Sequence, residues 1–359
     1  MKKVDLYIIK KFLGTFFYAI SLIILIVVVF DISEKIDDFI EKQAPLKEIF
    51  LVYYLNFIPN FVNLFSPLFT FIAVIYFTSR MAANTEIVAI LSSGISFRRM
   101  LLPYLISSFI LAIMSFYLAN FVIPHANEVR RTFKNMYIES TVGSYDRNIH
   151  IQISPKKYVF LESYNKTTQI GHRFSYEIFN KKNELIYKIN SQFIKWDSIS
   201  NRWIAEDYFI RNIDGMDENI KRGKKLFIKF KLKPEDFIIS KENWETMSYR
   251  QIREYINVLK LKGSNELKFY EVEKHKRVSF PCATIVLTLI GVSLSSRKMR
   301  GGTGMHLGLG ILISFTFILF MQISTVFATM GNLSPLIAVW IPNIIFTILG
   351  IFLLRIAPK

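Results

Sequence analysis

The chain has 359 residues, 52% of them hydrophobic and 20% charged, and Lys plus Arg exceed Asp plus Glu to give a net charge of +17. This is too apolar for a purely water-soluble fold and too charged for a bare helical bundle, so a membrane part joined to a soluble part is expected. The single cysteine, Cys282, excludes a disulfide framework and a cysteine-based metal site. The basic residues flank apolar segments, which directs the positive charge to a membrane surface and not to nucleic acid.

The hydrophobic residues fall in two blocks, 12–124 and 278–356. About 20 apolar residues cross a bilayer core as a helix, because backbone polar groups cannot be hydrated there. Residues 12–30 meet this. They come after a basic start with Lys2, Lys3, Lys10 and Lys11, but the run is long for a secretion signal and no small-residue cleavage pattern succeeds it, so a retained helix is expected. A second span lies within 49–79, with Pro59 and Pro67 predicting tilt or a kink, and a third runs from 101 to 123 before Pro124. Spans at 278–296, 305–328 and 336–354 bring the expected number to six.

Lys and Arg in the short loops set orientation. With a cytoplasmic N-terminus, that side carries the four N-terminal lysines, Arg80, Arg98, Arg99, Arg297, Lys298, Arg300, Arg355 and Lys359. The opposite short loops hold Lys35, Lys42 and Lys47 among Asp31, Glu34, Asp37, Asp38, Glu41 and Glu48. Both termini are therefore expected in the cytoplasm and the large insert outside it. Between the second and third spans, residues 81–93 read as a short helix, with Thr85 and Glu86 near its start and Gly94 as its stop. Its apolar face, Ile87, Val88, Ile90 and Leu91, suits docking in the groove of a soluble ATPase or, equally, capping the bundle as an interfacial helix.

From Ile149 to about Ile239, short runs of Ile, Val, Phe and Tyr punctuated by Gly, Asn, Asp and Pro predict an antiparallel β sandwich or roll. The stretch from Trp196 to Trp203 reads as a hairpin turn. In the last strand Leu226, Ile228, Phe230 and Leu232 point one way and Lys225, Lys229, Lys231 and Lys233 the other. That basic stripe either guards an exposed edge or meets a phosphorylated ligand. Tyr249, Ile252, Ile256 and Leu259 predict an amphipathic helix stopped by Gly263, and a second charged helix is expected at 265–277. The expected division is 1–124 (three spans with the 81–93 helix), 125–277 (β domain and connecting helices) and 278–359 (three spans).

Chemistry is hard to find. There is no G-x-x-x-x-G-K-[ST] phosphate loop, H-E-x-x-H pair, clustered metal ligands or G-x-S-x-G elbow, and Gly301, Gly302 and Gly304 form a turn without the lysine such a loop needs. His125, His150, His172, His275 and His306 are scattered, and a surface or interface position is expected for each. No cofactor or metal is expected in this chain.

Five segments together make the chain resemble a known family: VDLYIIKKF at the start, TEIVAILSSGIS, YVFLES, MSYRQIREYINVLKLKG, and GNLSPLIAVWIPNIIF. In this order they resemble the LptF/LptG permeases of the ABC exporter that extracts lipopolysaccharide from the Gram-negative inner membrane, and the MSYRQIREYI segment looks more like LptG. The resemblance covers essentially the whole chain. It implies six membrane helices with an inserted periplasmic β-jellyroll, an LptF–LptG heterodimer, two copies of the ATPase LptB that bind ATP and Mg, and LptC. Residues 81–93 then match the coupling helix and Glu86 the family's acidic residue facing LptB. Helices one and five would form lateral gates, and the β domain would hand the lipid to a periplasmic bridge. Arg131 and Lys134, with Arg130 beside them, match basic positions that could meet lipid phosphates, where charge-assisted pairs are strong. The outer end of the first helix, lysine-bearing in LptG relatives, is here FDISEKIDDFIEK, with Lys35 and Lys42 the nearby cations. Two other readings remain, a membrane-anchored enzyme acting on envelope lipids or glycans and a scaffold or sensor.

Overall fold

The computed structural model describes residues 3–138, 146–165, 168–198, 200–215, 217–228, 232, 234, 243–262, 266–297 and 302–356. Eight principal helices and six strands are named here in chain order: α1 (Lys3–Glu41), α2 (Leu46–Ala83), α3 (Glu86–Ser92), α4 (Phe97–Tyr137), β1 (Asp146–Ser154), β2 (Lys157–Asn165), β3 (Ile170–Phe179), β4 (Leu185–Asp197), β5 (Arg202–Asp214), β6 (Asp217–Ile228), α5 (Tyr249–Lys262), α6 (Leu267–Ser295), α7 (Gly302–Met330) and α8 (Pro335–Ile356). The chain divides into two compact units. One contains residues 1–139, 244–253 and 268–359, the other 140–243 and 254–267.

Six helices in the first unit, α1, α2, α4, α6, α7 and α8, are long and apolar enough to cross a membrane. They exceed the expected spans because flanking polar residues stay helical. In α1 the buried residues Asp5, Ile8, Phe12, Phe16, Ile20 and Ile24 recur every three or four positions, while Tyr18, Leu25, Val29 and Phe30 are exposed. That stripe faces the bundle and the exposed apolar rows suit lipid. The 265–277 segment is not a separate helix. It continues without a break into α6, since no Gly or Pro interrupts it before Pro281, and the side chains of Glu273 and Arg277, one turn apart, pair at 3.5 Å.

The prolines are accommodated locally. Leu118–Val122 is wound as a π-helix just before Pro124, widening the turn where the ring would otherwise strike the carbonyl four residues back. On α8, Pro342 frees the carbonyl of Ala338, and the Ser324 hydroxyl of α7 donates to it. Inside a bilayer such a donor is needed, because no water is present to fill the vacancy. Side chains of α2 press directly on the α6 and α7 backbones: a Cβ on Gly291 of α6 would lie 2.9 Å from Val74 Cγ1, and one on Gly310 of α7 would clash with Ile75 Cδ1.

The second unit holds an antiparallel sheet in the order β1-β2-β3-β4-β5-β6. The expected β insert is thus present as an antiparallel sheet. Among the described residues its strands form an up-and-down meander, each pairing with its sequence neighbour through a hairpin. Trp196 pairs with Trp203 across the β4–β5 turn. Ile149, Val159, Leu161, Tyr164, Phe174, Ile189, Ile194, Trp203 and Leu232 form its core. At the β6 edge Lys225 lies 3.7 Å from Glu206 on β5, so it balances a neighbouring carboxylate. Lys229, Lys231 and Lys233 of the expected basic stripe, and Phe230 of the opposite face, fall outside the described residues. α5 forms as expected, with Ile252, Ile256 and Leu259 buried.

Candidate functional site

Two polar constructions stand at opposite ends of α1 in the helical unit. The first ties the start of α1 to the loop between α2 and α4. The expected helix 81–93 is divided: Met81–Ala83 complete α2, and Thr85 adopts φ +60° with no capping bond from its side chain, so α3 begins only at Glu86. A β-branched residue rarely takes this left-handed conformation, and here it sets the corner between two helices. Gly94, at φ +82°, ends the turn as expected.

The residues of α3 then separate by direction. Ile87 is 1% exposed and belongs to the bundle core, with Ile90 and Leu91 packed partly against it, whereas Val88 is 60% exposed beside Thr85. The four apolar residues expected on a single docking face therefore do two jobs. Glu86 accepts a hydrogen bond from the Tyr7 hydroxyl of α1 at 3.1 Å and one from Asn84 Nδ2 at 3.2 Å. Just beyond α3, Ser96 caps α4 by accepting from the Arg99 backbone N–H. The Arg99 guanidinium reaches α1 and donates both Nη groups to Asp5, at 2.9 and 2.6 Å. Asp5 is buried while the Arg99 side chain is 38% exposed, so the two-pronged geometry, and not exclusion of water, gives this pair its definition.

Exchanging the charges in Asp5→Arg/Arg99→Asp is expected to recover part of the thermal stability lost by Arg99→Asp alone, as followed by a double-mutant cycle on the detergent-solubilised chain. Additive losses would show that the two side chains do not couple.

The second construction is at the far end of α1. Asp31 pairs with Lys35 one turn later and accepts from the Tyr54 hydroxyl of α2 at 3.0 Å. The Lys35 ammonium stands 5.4 Å from the centre of the Tyr53 ring, and Arg130 of α4 lies 5.7 Å from the centre of Phe57. Tyr53 and Phe57 stack on each other at 6.1 Å, so both cations rest on one aromatic patch. Phe39 and Phe133 close that patch on Tyr53, at 5.9 and 5.4 Å. Arg131 and Lys134 are half-buried on the same helix as Arg130. Lys35 is thereby already committed to a carboxylate, and Asp31 also holds α2 through Tyr54.

Sequence reasoning missed Asp5, Tyr7, Arg99, Asp31 and Tyr54. An acidic residue inside a lysine-rich start was the signal for Asp5. His306, expected at a surface or interface, is instead 2% exposed with Nε2 3.0 Å from the Arg297 carbonyl, because it lies on the buried side of α7. Among the described residues no three His, Cys, Asp or Glu side chains converge in a way that could hold a metal ion.

No curated protein matches this chain. The family model of the lipopolysaccharide export system permease LptF/LptG matches residues 6–356, nearly the whole length and both units, and the chain belongs to that family.

Proposed function

We propose that this subunit moves lipopolysaccharide without covalent chemistry of its own, by coupling the loop helix α3 to the position of α1. The observation that supports the reading is the bracket on α1: Tyr7 binds Glu86 at the start of α3, and Asp5 binds Arg99 just beyond its end. Displacing a short helix fastened on both sides to a membrane helix shifts that helix too. In this reading the exposed side of α3, Thr85, Val88 and part of Glu86, meets an LptB dimer that binds ATP and Mg. A second permease of the family completes the channel, LptC takes part, and the β unit passes the lipid to a periplasmic bridge. Both termini lie in the cytoplasm and the β unit in the periplasm of a Gram-negative bacterium, consistent with the excess of Lys and Arg in the loops on the N-terminal side. Arg130, Arg131 and Lys134, with Lys35 held beside them, contact phosphate near the outer rim. The chain is closer to LptG.

Glu86→Ala is the test. Purified in mild detergent, the tagged wild-type chain is expected to bring down an ATPase and a second permease, and the variant to retain the permease while its lipid-stimulated ATP hydrolysis falls at least about tenfold. Unchanged ATPase recovery and coupled hydrolysis in the variant would remove α3 from the mechanism. Export by the wild-type chain reconstituted alone would overturn the reading altogether.

A further inference from the structure

A cavity of about 540 Å³ opens within the helical unit. Its walls come from α2, α4, α6 and α7 together with the short helical turn Asn243–Thr246. α1 contributes nothing to it, and neither polar construction at the ends of α1 shares a residue with it.

The cavity is polar at one end and apolar at the other. Phe71 and Val74 of α2 stand level with Gly291 of α6, and Ile75 stands level with Gly310 of α7, which fixes the relative heights of the three helices. Residues 60–68 of α2, 280–287 of α6 and 314–322 of α7 therefore run along the same depth, with Asn60 and Gln322 at the outer end and α6 continuing beyond them to Glu273. Glu245, Lys276, Arg277, Asn63 and Asn127 join that outer end, while Leu68, Leu287 and Phe317 line the deep end. From Glu273 to Leu287 the α6 wall is about 21 Å long at the helical rise. That exceeds the roughly 15 Å depth of one leaflet's half of the hydrocarbon core. Leu64, Phe315 and Ile318, on its rim, are 56%, 56% and 40% exposed, so the opening is sideways through apolar side chains.

Two buried polar atoms in the wall have no partner. Asn127, 4% exposed, donates through Nδ2 to the Glu245 carbonyl at 3.1 Å but leaves Oδ1 empty, and the Ser314 hydroxyl, 1% exposed, is unbonded. Of the two, Asn127 Oδ1 lies at the polar end, where a ligand's donor can offset the cost of its burial, whereas Ser314, one turn from Gly310, lies at the deep end and takes no part in head-group recognition. The charges are balanced: two carboxylates, Glu245 and Glu273, face two cations, Lys276 and Arg277. Arg277, 6% exposed, is consumed internally. Its Nη groups donate to the carbonyls of Met247 and Trp244 at 2.7 and 2.9 Å, and its Nε lies 3.5 Å from Glu273. Lys276 pairs with no described carboxylate.

We propose that this cavity binds one zwitterionic membrane phospholipid, with its acyl chain along α2, α6 and α7, its phosphate on Lys276 and its ammonium on Asn127 Oδ1 and Glu273. Balanced charge argues against the multiply phosphorylated cargo, which needs an excess of cations. The deep apolar end and the sideways opening argue against a water-soluble ligand. The site is independent of the coupling reading, since it uses no residue of α1 or α3.

The test is native mass spectrometry of the purified permease complex, delipidated and then given phosphatidylethanolamine or phosphatidylglycerol. The wild type is expected to retain one phosphatidylethanolamine per chain and to prefer it to phosphatidylglycerol. Ser314→Phe, which fills the cavity, and Ile318→Trp, which closes its exposed rim without disturbing a buried position, are each expected to reduce retention at least about tenfold. Lys276→Glu should weaken it without changing the bundle's melting. Equal retention in wild type and Ile318→Trp, a preference for phosphatidylglycerol, or lipopolysaccharide as the only lipid released by Ile318→Trp would each overturn the proposal.

Discussion

Replacing Trp203 by alanine is expected to destabilise the β unit by about 3–5 kcal/mol, the range for removing a large aromatic from a packed core. Trp203 has no exposed surface, lies 5.0 Å from Trp196 and 6.3 Å from Tyr164 between ring centres, and donates from Nε1 to the Leu232 carbonyl at 2.9 Å. Burial pushes the Tyr164 phenol up to about 12, which shows how poorly this core would solvate a charge. A domain of this size has roughly 5–15 kcal/mol of stability to lose, so the variant should be cut rapidly by protease within residues 146–228 while the helical unit stays intact. Trp203→Phe keeps most of the apolar contact and loses mainly the hydrogen bond, about 1 kcal/mol. Protease resistance of Trp203→Ala equal to wild type would mean that this core does not hold the sheet together.

Gly291→Leu should be the most damaging single change in the helical unit. Even a first carbon there would lie 2.9 Å from Val74 Cγ1 and 3.1 Å from two atoms of the Phe71 ring, and both neighbours are stiff and fully buried. Overpacking of this kind costs about 1–3 kcal/mol, and leucine adds three further carbons in the same direction. Close backbone approach at small residues is also what holds membrane helices together, since lipid tails are as apolar as the side chains they meet. Thermal unfolding in detergent is expected to show a clearly lower midpoint for Gly291→Leu. Gly310→Ala should be milder, although its clash is shorter, because the obstructing atom is the terminal methyl of Ile75 and can swing aside. If the two variants melt alike, the contact between α2 and α6 is not the tight one.

The six spans, the Trp196–Trp203 hairpin and the helix carrying Ile252, Ile256 and Leu259 were legible because hydrophobic periodicity and turn residues decide them locally. The corner at Thr85 was not. Asn84 and Thr85 are weak helix formers inside an otherwise helical stretch, but nothing local specifies a left-handed Thr85, and the corner is fixed together with the burial of Ile87 in the bundle. The same limit hid the site. Asp5 and Arg99 are 94 residues apart and Tyr7 and Glu86 are 79 apart, so no spacing rule links them. The candidate cations were seen as a group because charge is visible in a sequence. The Asp31–Lys35 pair, one helical turn apart, was readable from spacing, but that Lys35 also rests on Tyr53 emerges only from three-dimensional proximity.

α1 is fastened at both ends, by Asp5 to Arg99 and by Asp31 to Tyr54, and the two anchors are 26 positions apart. Each residue added to a helix rotates the remainder of the rod by about 100°. A single insertion or deletion between Ile8 and Val28 would swing one anchor a little over a quarter turn away from its partner, and only changes of about a whole turn or two would bring it back. The length of this helix is thus held as firmly as any side chain in it, and descendants of this protein should vary in which apolar residues it carries long before they vary in how many.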